Sequence, residues 1–333
     1  MRFLVTGGAG FIGSHYVRSL LSGSYPGYEN VRVTVLDKLT YAGNLANLAP
    51  VADHPGYAFL QADITDAHAL AEVVPGHDVI VNFAAETHVD RSITGAADFV
   101  TTNVVGTQRL LQAALEADVP TVVHVSTDEV YGSIDGGSWN EDEPLLPNSP
   151  YSAAKAGADL LCRAYHSTYG CDIRVTRCSN NYGPYQYPEK LIPLFVTNLL
   201  EGRKVPLYGD GLNVREWLHV DDHCRGIQLV LEKGSPGEIY NISGGTELTN
   251  RELTGRLLDA LGTRWEMVEQ VPDRPGHDRR YSLDDGKIRA IGYQPRVEFD
   301  EGLAAVVRWY RDHQEWWRPL TRAGAGRAGA PTA

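Results

Sequence analysis

The chain has 333 residues, 43% hydrophobic and 22% charged, an ordinary globular mix long enough for one large domain or two that share a core. Its 42 acidic and 30 basic residues give a net charge of −12, which argues against a nucleic-acid partner, since that would want a basic face. No apolar run approaches the ~20 residues of a membrane helix, and Met1 to Gly7 run straight into a glycine loop without a signal-peptide pattern, so a cytoplasmic location is expected.

In chain order, the first half alternates apolar runs with helical patterns. Strands are predicted at Phe3–Thr6, Val31–Leu36, Ala58–Gln61, Asp78–Phe83, Val122–Ser126 and Ile173–Arg177. Helices are predicted at Ile12–Leu21, Asp66–Val74, Val100–Ala117 and Ser152–Tyr169. The strands are apolar on consecutive positions, as parallel strands buried on both faces must be. This alternation predicts an α/β fold, a doubly wound parallel sheet of Rossmann type with helices on both faces. Beyond Arg177 the pattern loosens. Asn180–Glu189 reads as a loop, Leu191–Glu201, Val220–Glu232 and Arg251–Leu261 as helices, and Ile239–Ser243 as a strand. A last amphipathic helix is predicted at about Glu301–Trp316. Residues 1–178 thus form the expected dinucleotide-binding domain, to which segments near 220–243 return, and residues 179–316 mainly form a smaller, discontinuous C-terminal substrate domain. From Thr321 to Ala333 only Ala, Gly, Arg, Thr and Pro occur, so this tail is expected to be disordered. The four cysteines, Cys162, Cys171, Cys178 and Cys224, form no C-x-x-C pair and no zinc-ligand spacing, so reduced thiols and no metal are expected.

Gly7, Gly10 and Gly13 form a G-x-x-G-x-x-G series between the first strand and the first helix. Such a turn lets backbone approach a pyrophosphate, whose charge the helix N-terminus stabilises. Asp37 closes the second strand, at the distance where an acid takes the adenosine ribose hydroxyls and repels a 2′-phosphate. NAD is therefore expected over NADP, although the adjacent Lys38 is a cation that would tolerate phosphate. Asp63, after the third strand, is placed to touch the adenine and equally suits a helix cap. Tyr151 and Lys155 are spaced i, i+4 at the start of a helix, so phenol and ammonium share one face. A nearby cation favours the phenolate, which predicts a lowered tyrosine pKa and a base for a hydroxyl proton.

Taken with Ala84-Ala85-Glu86-Thr87-His88-Val89-Asp90-Arg91-Ser92, Ser126-Thr127-Asp128-Glu129-Val130-Tyr131-Gly132, Arg177-Cys178-Ser179-Asn180-Asn181-Tyr182-Gly183-Pro184 and Asp273-Arg274-Pro275-Gly276-His277-Asp278, the chain resembles the extended short-chain dehydrogenase/reductase family that modifies nucleotide sugars, up to the tail. Within it the match to the 4,6-dehydratases is close. Thr87 departs from the serine often found there but keeps the hydroxyl. The resemblance implies an NAD site lined by Gly7, Gly10, Phe11, Ile12, Gly13, Asp37, Lys38, Thr40, Asp63, Ile64, Ala84, Ala85, Thr87, Thr102, Ser126, Tyr151, Lys155 and Asn181. It also implies a thymidine-diphosphate sugar substrate, dTDP-glucose. Arg215 and Arg274 would meet the diphosphate, with Asn180 and Asn250 nearby, since guanidinium forks match phosphate oxygens. Glu189, Lys190, Leu191, Pro206, Tyr208 and His277 would line the base pocket, with Tyr281 close by. Read without the family, each arginine suits a surface ion pair and His277 a solvated loop.

Asp128 and Glu129 carry the distinction from the family's 4-epimerases, where small neutral residues suffice. They follow an apolar strand, at the carboxyl end where open α/β sheets bind ligands. By resemblance Asp128 is the acid and Glu129 the base of an elimination, Thr127 bonds the C4 oxygen, and Tyr151 with Lys155 serves the C4 oxidation. The expected course is C4 oxidation, loss of water across C5 and C6, and hydride return to C6. Two adjacent carboxylates divide these roles if their surroundings push their pKa values apart. Side chains alternate along a strand, so both reach one site only if the strand has ended before them. Two further hypotheses are a nucleotide-sugar 4-epimerase and a catalytically silent NAD-binding regulator; the latter predicts damage to Tyr151, Lys155 or the acidic pair, and all four are present. A homodimer through the helices around Val100–Ala117 and Ser152–Tyr169 is expected from relatives.

Overall fold

The computed structural model describes residues 1–325. Strands β1 (Arg2–Thr6), β2 (Arg32–Asp37), β3 (Tyr57–Gln61), β4 (Val79–Asn82), β5 (Thr121–Thr127) and β6 (Ile173–Cys178) occupy the first half. They are followed by β7 (Asn180–Tyr182), β8 (Val205–Tyr208), β9 (Val214–His219), β10 (Ile239–Ile242), β11 (Thr246–Thr249) and β12 (Val268–Val271). Seven strands form one sheet in the order β10-β6-β5-β4-β1-β2-β3, with every neighbouring pair parallel. This is the doubly wound α/β sheet the alternation predicted.

Successive side chains serve opposite faces, which is why both must be apolar. Phe3, Val5, Val33, Val35, Val79, Val81, Val123 and Val125 pack on one side with Tyr16, Val17 and Leu20 of helix Phe11–Leu21 and with Cys224 and Ile227 of helix Val220–Lys233. Leu4, Leu36, Ile80 and Val122 face the other way, onto Leu70, Leu110, Leu111, Cys162 and Tyr165. Helix Val220–Lys233 and β10 thus lie with the first sheet although they come late in the chain. A separate core holds Ile192, Phe195, Val196, Trp217, Leu253, Leu257, Leu303, Val306 and Trp317. Strand order reverses between β1 and β4, the switch point outside whose carboxyl ends ligands bind in such sheets.

Several elements differ from the sequence reading. The stretch predicted as loop over 180–189 opens with β7, which pairs in parallel with β9; its Asn-Asn-Tyr composition hides a strand that tertiary pairing makes. The helix predicted at Val100–Ala117 is continuous with Ala96–Phe99 and winds as a π-helix over Val100–Gly106 before Thr107–Glu116. The last helix is two, Phe299–Asp312 and Gln314–Ala325. The second carries into the predicted disordered tail as far as Ala325, anchored by the fully buried Trp317, whose indole donates to the Tyr310 carbonyl at 2.7 Å. The rest of that tail, 326–333, lies outside the described residues. All four cysteines are free, and no cluster of metal-binding side chains occurs among the described residues.

Candidate active site

A cavity of about 280 Å³ runs across the carboxyl ends of the sheet from the glycine loop to the acidic pair. Gly7 has φ +68°, and a Cβ there would meet the Ala84 backbone at 2.6 Å, so only glycine lets β1 and β4 meet beneath the loop. Gly10 is the extended residue that caps helix Phe11–Leu21 and, having no side chain, it satisfies none of the first-turn N–H groups. Those donors and the helix dipole are left for an anion.

Asp37 sits where β2 ends. Its carboxylate accepts from the Ala9 N–H at 3.0 Å and the Leu39 N–H at 2.8 Å, while burial pushes its pKa up. Lys38, a cation that suits a phosphate by charge alone, is ion-paired with Asp63 at 3.3 Å. Asp63 also accepts from the Thr65 N–H at 2.9 Å. It therefore caps its own turn and lines the cavity at once, while Asp66 caps the following helix.

The acidic pair meets the condition set by strand alternation. β5 ends at Thr127, and a 3₁₀ turn over Asp128–Tyr131 follows, capped by the Thr127 hydroxyl, which accepts from the Glu129 N–H at 3.3 Å. Both carboxylates consequently line one cavity. Asp128 is 2% exposed. Burial, then the neighbouring Glu129 and Glu216, hold its carboxyl well above the usual range, against a hydrogen bond from Thr127 at 3.2 Å. Burial also raises Glu129, but Arg274, Lys190 and Arg215 oppose it with positive charge. The surroundings therefore part the two carboxyls: Asp128 is pushed well toward its protonated form, and at Glu129 the same push is opposed by three cations.

Tyr151 is the second residue of helix Pro150–Tyr169, fixed by a capping box in which Ser149 and Ser152 bond each other's backbone N–H groups. Its phenol is within hydrogen-bonding reach of Thr127, yet its pKa is pushed up, by burial first and then by Glu129. This reverses the expected lowering. Lys155, 4% exposed, directs its ammonium to the Val125 carbonyl at 2.7 Å, and burial lowers its own pKa. In the protein alone the phenol is thus the resting form.

The structure brings together in the cavity wall Gly7, Gly10, Phe11, Ile12, Gly13, Asp37, Lys38, Thr40, Asp63, Ile64, Ala84, Ala85, Thr87, Thr102, Ser126, Thr127, Asp128, Glu129, Tyr151, Lys155, Asn180, Asn181, Glu189 and Lys190. Asn181 differs in detail, because its side chain is engaged within the protein. It donates to the Ser179 carbonyl at 3.0 Å and the Cys178 sulfur at 3.3 Å, and its oxygen meets His223 Nδ1 at 2.9 Å. Leu191, Pro206, Tyr208, Arg215, Asn250, Arg274, His277 and Tyr281 are not in the wall. Arg215, 6% exposed, is no surface ion-pair member: its guanidinium donates to the Val214 carbonyl at 2.7 Å and the Asp278 carbonyl at 3.0 Å, and lies 4.3 Å from the Tyr281 ring. Arg274 pairs with Asp90 at 3.0 Å, and its Nε is buried without a partner. His277 is not a solvated loop residue; its side chain is 7% exposed and bonded to Asp273 at 2.6 Å.

Wall residues that the sequence reading missed include Glu86, Cys178, Ser179, Gln186 and Tyr187. Most adjoin quoted motifs at strand ends, which is the signal that finds them. Buried polar atoms of Ser126, Asp128, Asn180 and Gln186 in this wall have no protein partner. Together with the uncapped helix start and the Asp37 end of the crevice, they fit a dinucleotide with a polar co-ligand beside it.

The sequence matches the family model for GDP-mannose 4,6 dehydratase over residues 4–306. A dTDP-glucose 4,6-dehydratase of Streptomyces niveus is 61% identical over 96% of this chain and 96% of its own length. Among solved structures, the dTDP-glucose 4,6-dehydratase DesIV of Streptomyces venezuelae, with NAD and dTDP bound, is 67% identical with a TM-score of 0.95, over 96% of this chain and 100% of its own. The dTDP-glucose 4,6-dehydratase of Bacillus anthracis in complex with NAD is 50% identical with a TM-score of 0.89, over 96% of this chain and 99% of its own.

Proposed function

The chain belongs to the GDP-mannose 4,6-dehydratase family, and from that premise we infer that it converts dTDP-glucose to dTDP-4-keto-6-deoxyglucose and water with NAD as a resident cofactor. The observation that carries this reading is the acidic pair, both members facing the cavity that reaches Tyr151 and the glycine loop, with environments that part their proton affinities.

NAD, when bound, supplies the hydride acceptor for C4 and gives the hydride back at C6. Gly7, Gly10, Gly13 and Asp37 hold it at one end, and Tyr151 and Lys155 at the other. Tyr151 takes the C4 hydroxyl proton as phenolate and becomes the phenol, and the Lys155 charge favours the phenolate that acts as base. Thr127 steadies the C4 oxygen. The C4 carbonyl acidifies the C5 hydrogen, which Glu129 removes as base. Asp128, whose proton affinity burial raises, gives its proton to the departing C6 hydroxyl, which leaves as water. Glu129 returns a proton to C5 when C6 is reduced. Arg215 and Arg274 receive the diphosphate, with Asn180 and Asn250 beside them. An epimerase needs neither carboxylate, and a silent regulator needs neither Tyr151 nor Lys155.

Residues 179–316 make up most of the nucleotide-sugar lobe. The chain acts as a homodimer: Val100 and Val105 on the π-helix and Leu160 on the helix packed against it are 48%, 39% and 57% exposed, apolar surface that pairing removes from water. Sedimentation at the mass of two copies supports this, and the monomer mass contradicts it. Free thiols and the absence, among the described residues, of a helix able to cross a membrane accord with a cytoplasmic enzyme.

The test of the reaction is incubation of the purified protein with dTDP-glucose in heavy water without added NAD. Product lighter by one water and carrying deuterium at C5 supports the reading. Formation of dTDP-galactose points to an epimerase, and unchanged substrate overturns the assignment.

A further inference from the structure

A chain of buried polar side chains crosses the sheet beneath the site. Thr6 donates to Asn82 at 2.6 Å, Asn82 Nδ2 donates to His124 Nδ1 at 3.0 Å, and His124 Nε2 faces Asp159 Oδ1 at 3.8 Å. Asp159 Oδ2 accepts from Arg177 Nε at 2.9 Å. Arg177 Nη1 donates to the Tyr131 hydroxyl at 2.6 Å, which donates onward to Asn241 Oδ1 at 3.0 Å. Asp159 and Arg177 are only 3% and 2% exposed.

A buried ion pair is weak support for stability, because packed apolar residues of similar volume serve as well. This pair is notable for what it joins. Asp159 lies one helical turn beyond Lys155 on helix Pro150–Tyr169, and its charge offsets the desolvation of the Lys155 ammonium. Tyr131 closes the turn that begins with Asp128 and Glu129. Arg177 stands between them on β6, and its guanidinium carries donors in two fixed directions, one for each side. None of Asp159, Arg177 and Tyr131 lines the cavity, and all three are buried, Tyr131 completely.

Resting on the dehydratase reading above, we propose that Arg177 is a positioning residue: bonded at once to Asp159 and Tyr131, it fixes the acid–base turn against the helix that carries Tyr151 and Lys155. Oxidation at C4 and elimination across C5 and C6 act on one bound sugar. The two catalytic groups must therefore keep their separation within a fraction of an ångström, since a shift of about 1 Å costs on the order of 100-fold in rate.

Two variants cut the link without stranding a charge. Arg177→Lys keeps a cation beside Asp159 but lacks the rigid planar fork that also reaches Tyr131, and Tyr131→Phe keeps the ion pair and removes the hydroxyl. Both are compared with the unmodified protein for turnover of dTDP-glucose, for isotope effects with C4- and C5-deuterated substrate, for NAD content and for Tm. The expected result is unchanged NAD content and KM, with kcat lower by roughly 10–100-fold. The C5 isotope effect rises and the C4 effect falls, because elimination has become the slow step. Unchanged kcat and isotope effects overturn the proposal. Loss of NAD, or a fall in Tm that accounts for the lost activity, overturns it as well, since the link is then only structural. If the unmodified protein makes no 4-keto-6-deoxy product, the dehydratase reading itself fails, and the positioning proposal falls with it.

Discussion

At position 128 burial pushes a carboxyl well toward its protonated form, and at position 129 burial pushes the same way while three cations oppose it. Asp128→Asn and Glu129→Gln should each lower kcat by about 10²–10⁴-fold, while C4 oxidation by the Tyr151 end continues. The check is rapid mixing with dTDP-glucose: reduced nicotinamide builds up in the variants and not in the parent. The same groups set the pH dependence of kcat. Glu129 must be ionised, so activity falls as pH drops through its pKa, which burial has raised above the ordinary value of about 4.3. Asp128 must be protonated, so activity falls as pH rises through its pKa, which stands well above the ordinary value of about 3.9. A bell whose acid limb lies above the usual glutamate range is expected, and Asp128→Asn abolishes its alkaline limb in the residual activity. The presence of two acids was legible in the chain, but their separation in proton affinity was not. It comes from Lys190, Arg215 and Arg274, which lie far along the sequence. Tyr151 shows the converse: the i, i+4 lysine predicted a lowered pKa, and burial, which no local spacing reveals, reversed the direction.

Element boundaries place these groups. β5 ends at Thr127, so the next two side chains escape the strand's alternation. The Ser149–Ser152 capping box starts the helix that carries Tyr151. Ser149→Ala should cost about 1 kcal/mol of stability, read as a lower Tm, together with a lower kcat because the first turn holding Tyr151 frays. At the other end of the crevice, Asp37 accepts two N–H groups and Lys38 is neutralised by Asp63. Asp37→Ser should shift the preference from NAD toward NADP by at least roughly tenfold, about 1.4 kcal/mol, measured as relative affinity after removal of bound cofactor. The strands and the glycine loop were legible because buried parallel strands and tight turns leave local signatures. The π-helix over Val100–Gly106 left none. Its effect is tertiary: it sets Thr102 in the cavity wall and lets Asn103 bond both backbone groups of Glu86, at 2.9 and 3.0 Å.

Over the whole molecule, an excess of acid coexists with a local group of cations, Lys190, Arg215 and Arg274, whose charge acts on Glu129. Arg215 comes from β9 and Arg274 from the segment after β12, so residues late in the chain shape the charge around an acidic pair that the early sheet places. This is also where sequence reading was thinnest. β7, β8, β11 and β12 are strands of three or four residues, made by pairing across long separations rather than by local pattern. The sheet, by contrast, places the dinucleotide crevice and the acidic pair at one set of carboxyl ends, which unites oxidation and elimination in a single cavity. Between C4 and C6 the hydride never leaves that cavity. The most direct measurement of this is conversion of dTDP-glucose deuterated at C4, in ordinary water and without added NAD, with the product analysed by mass and NMR. The account predicts 4-keto-6-deoxy product that carries the deuterium at C6. Product with no deuterium at C6, or dTDP-galactose still labelled at C4, would contradict it.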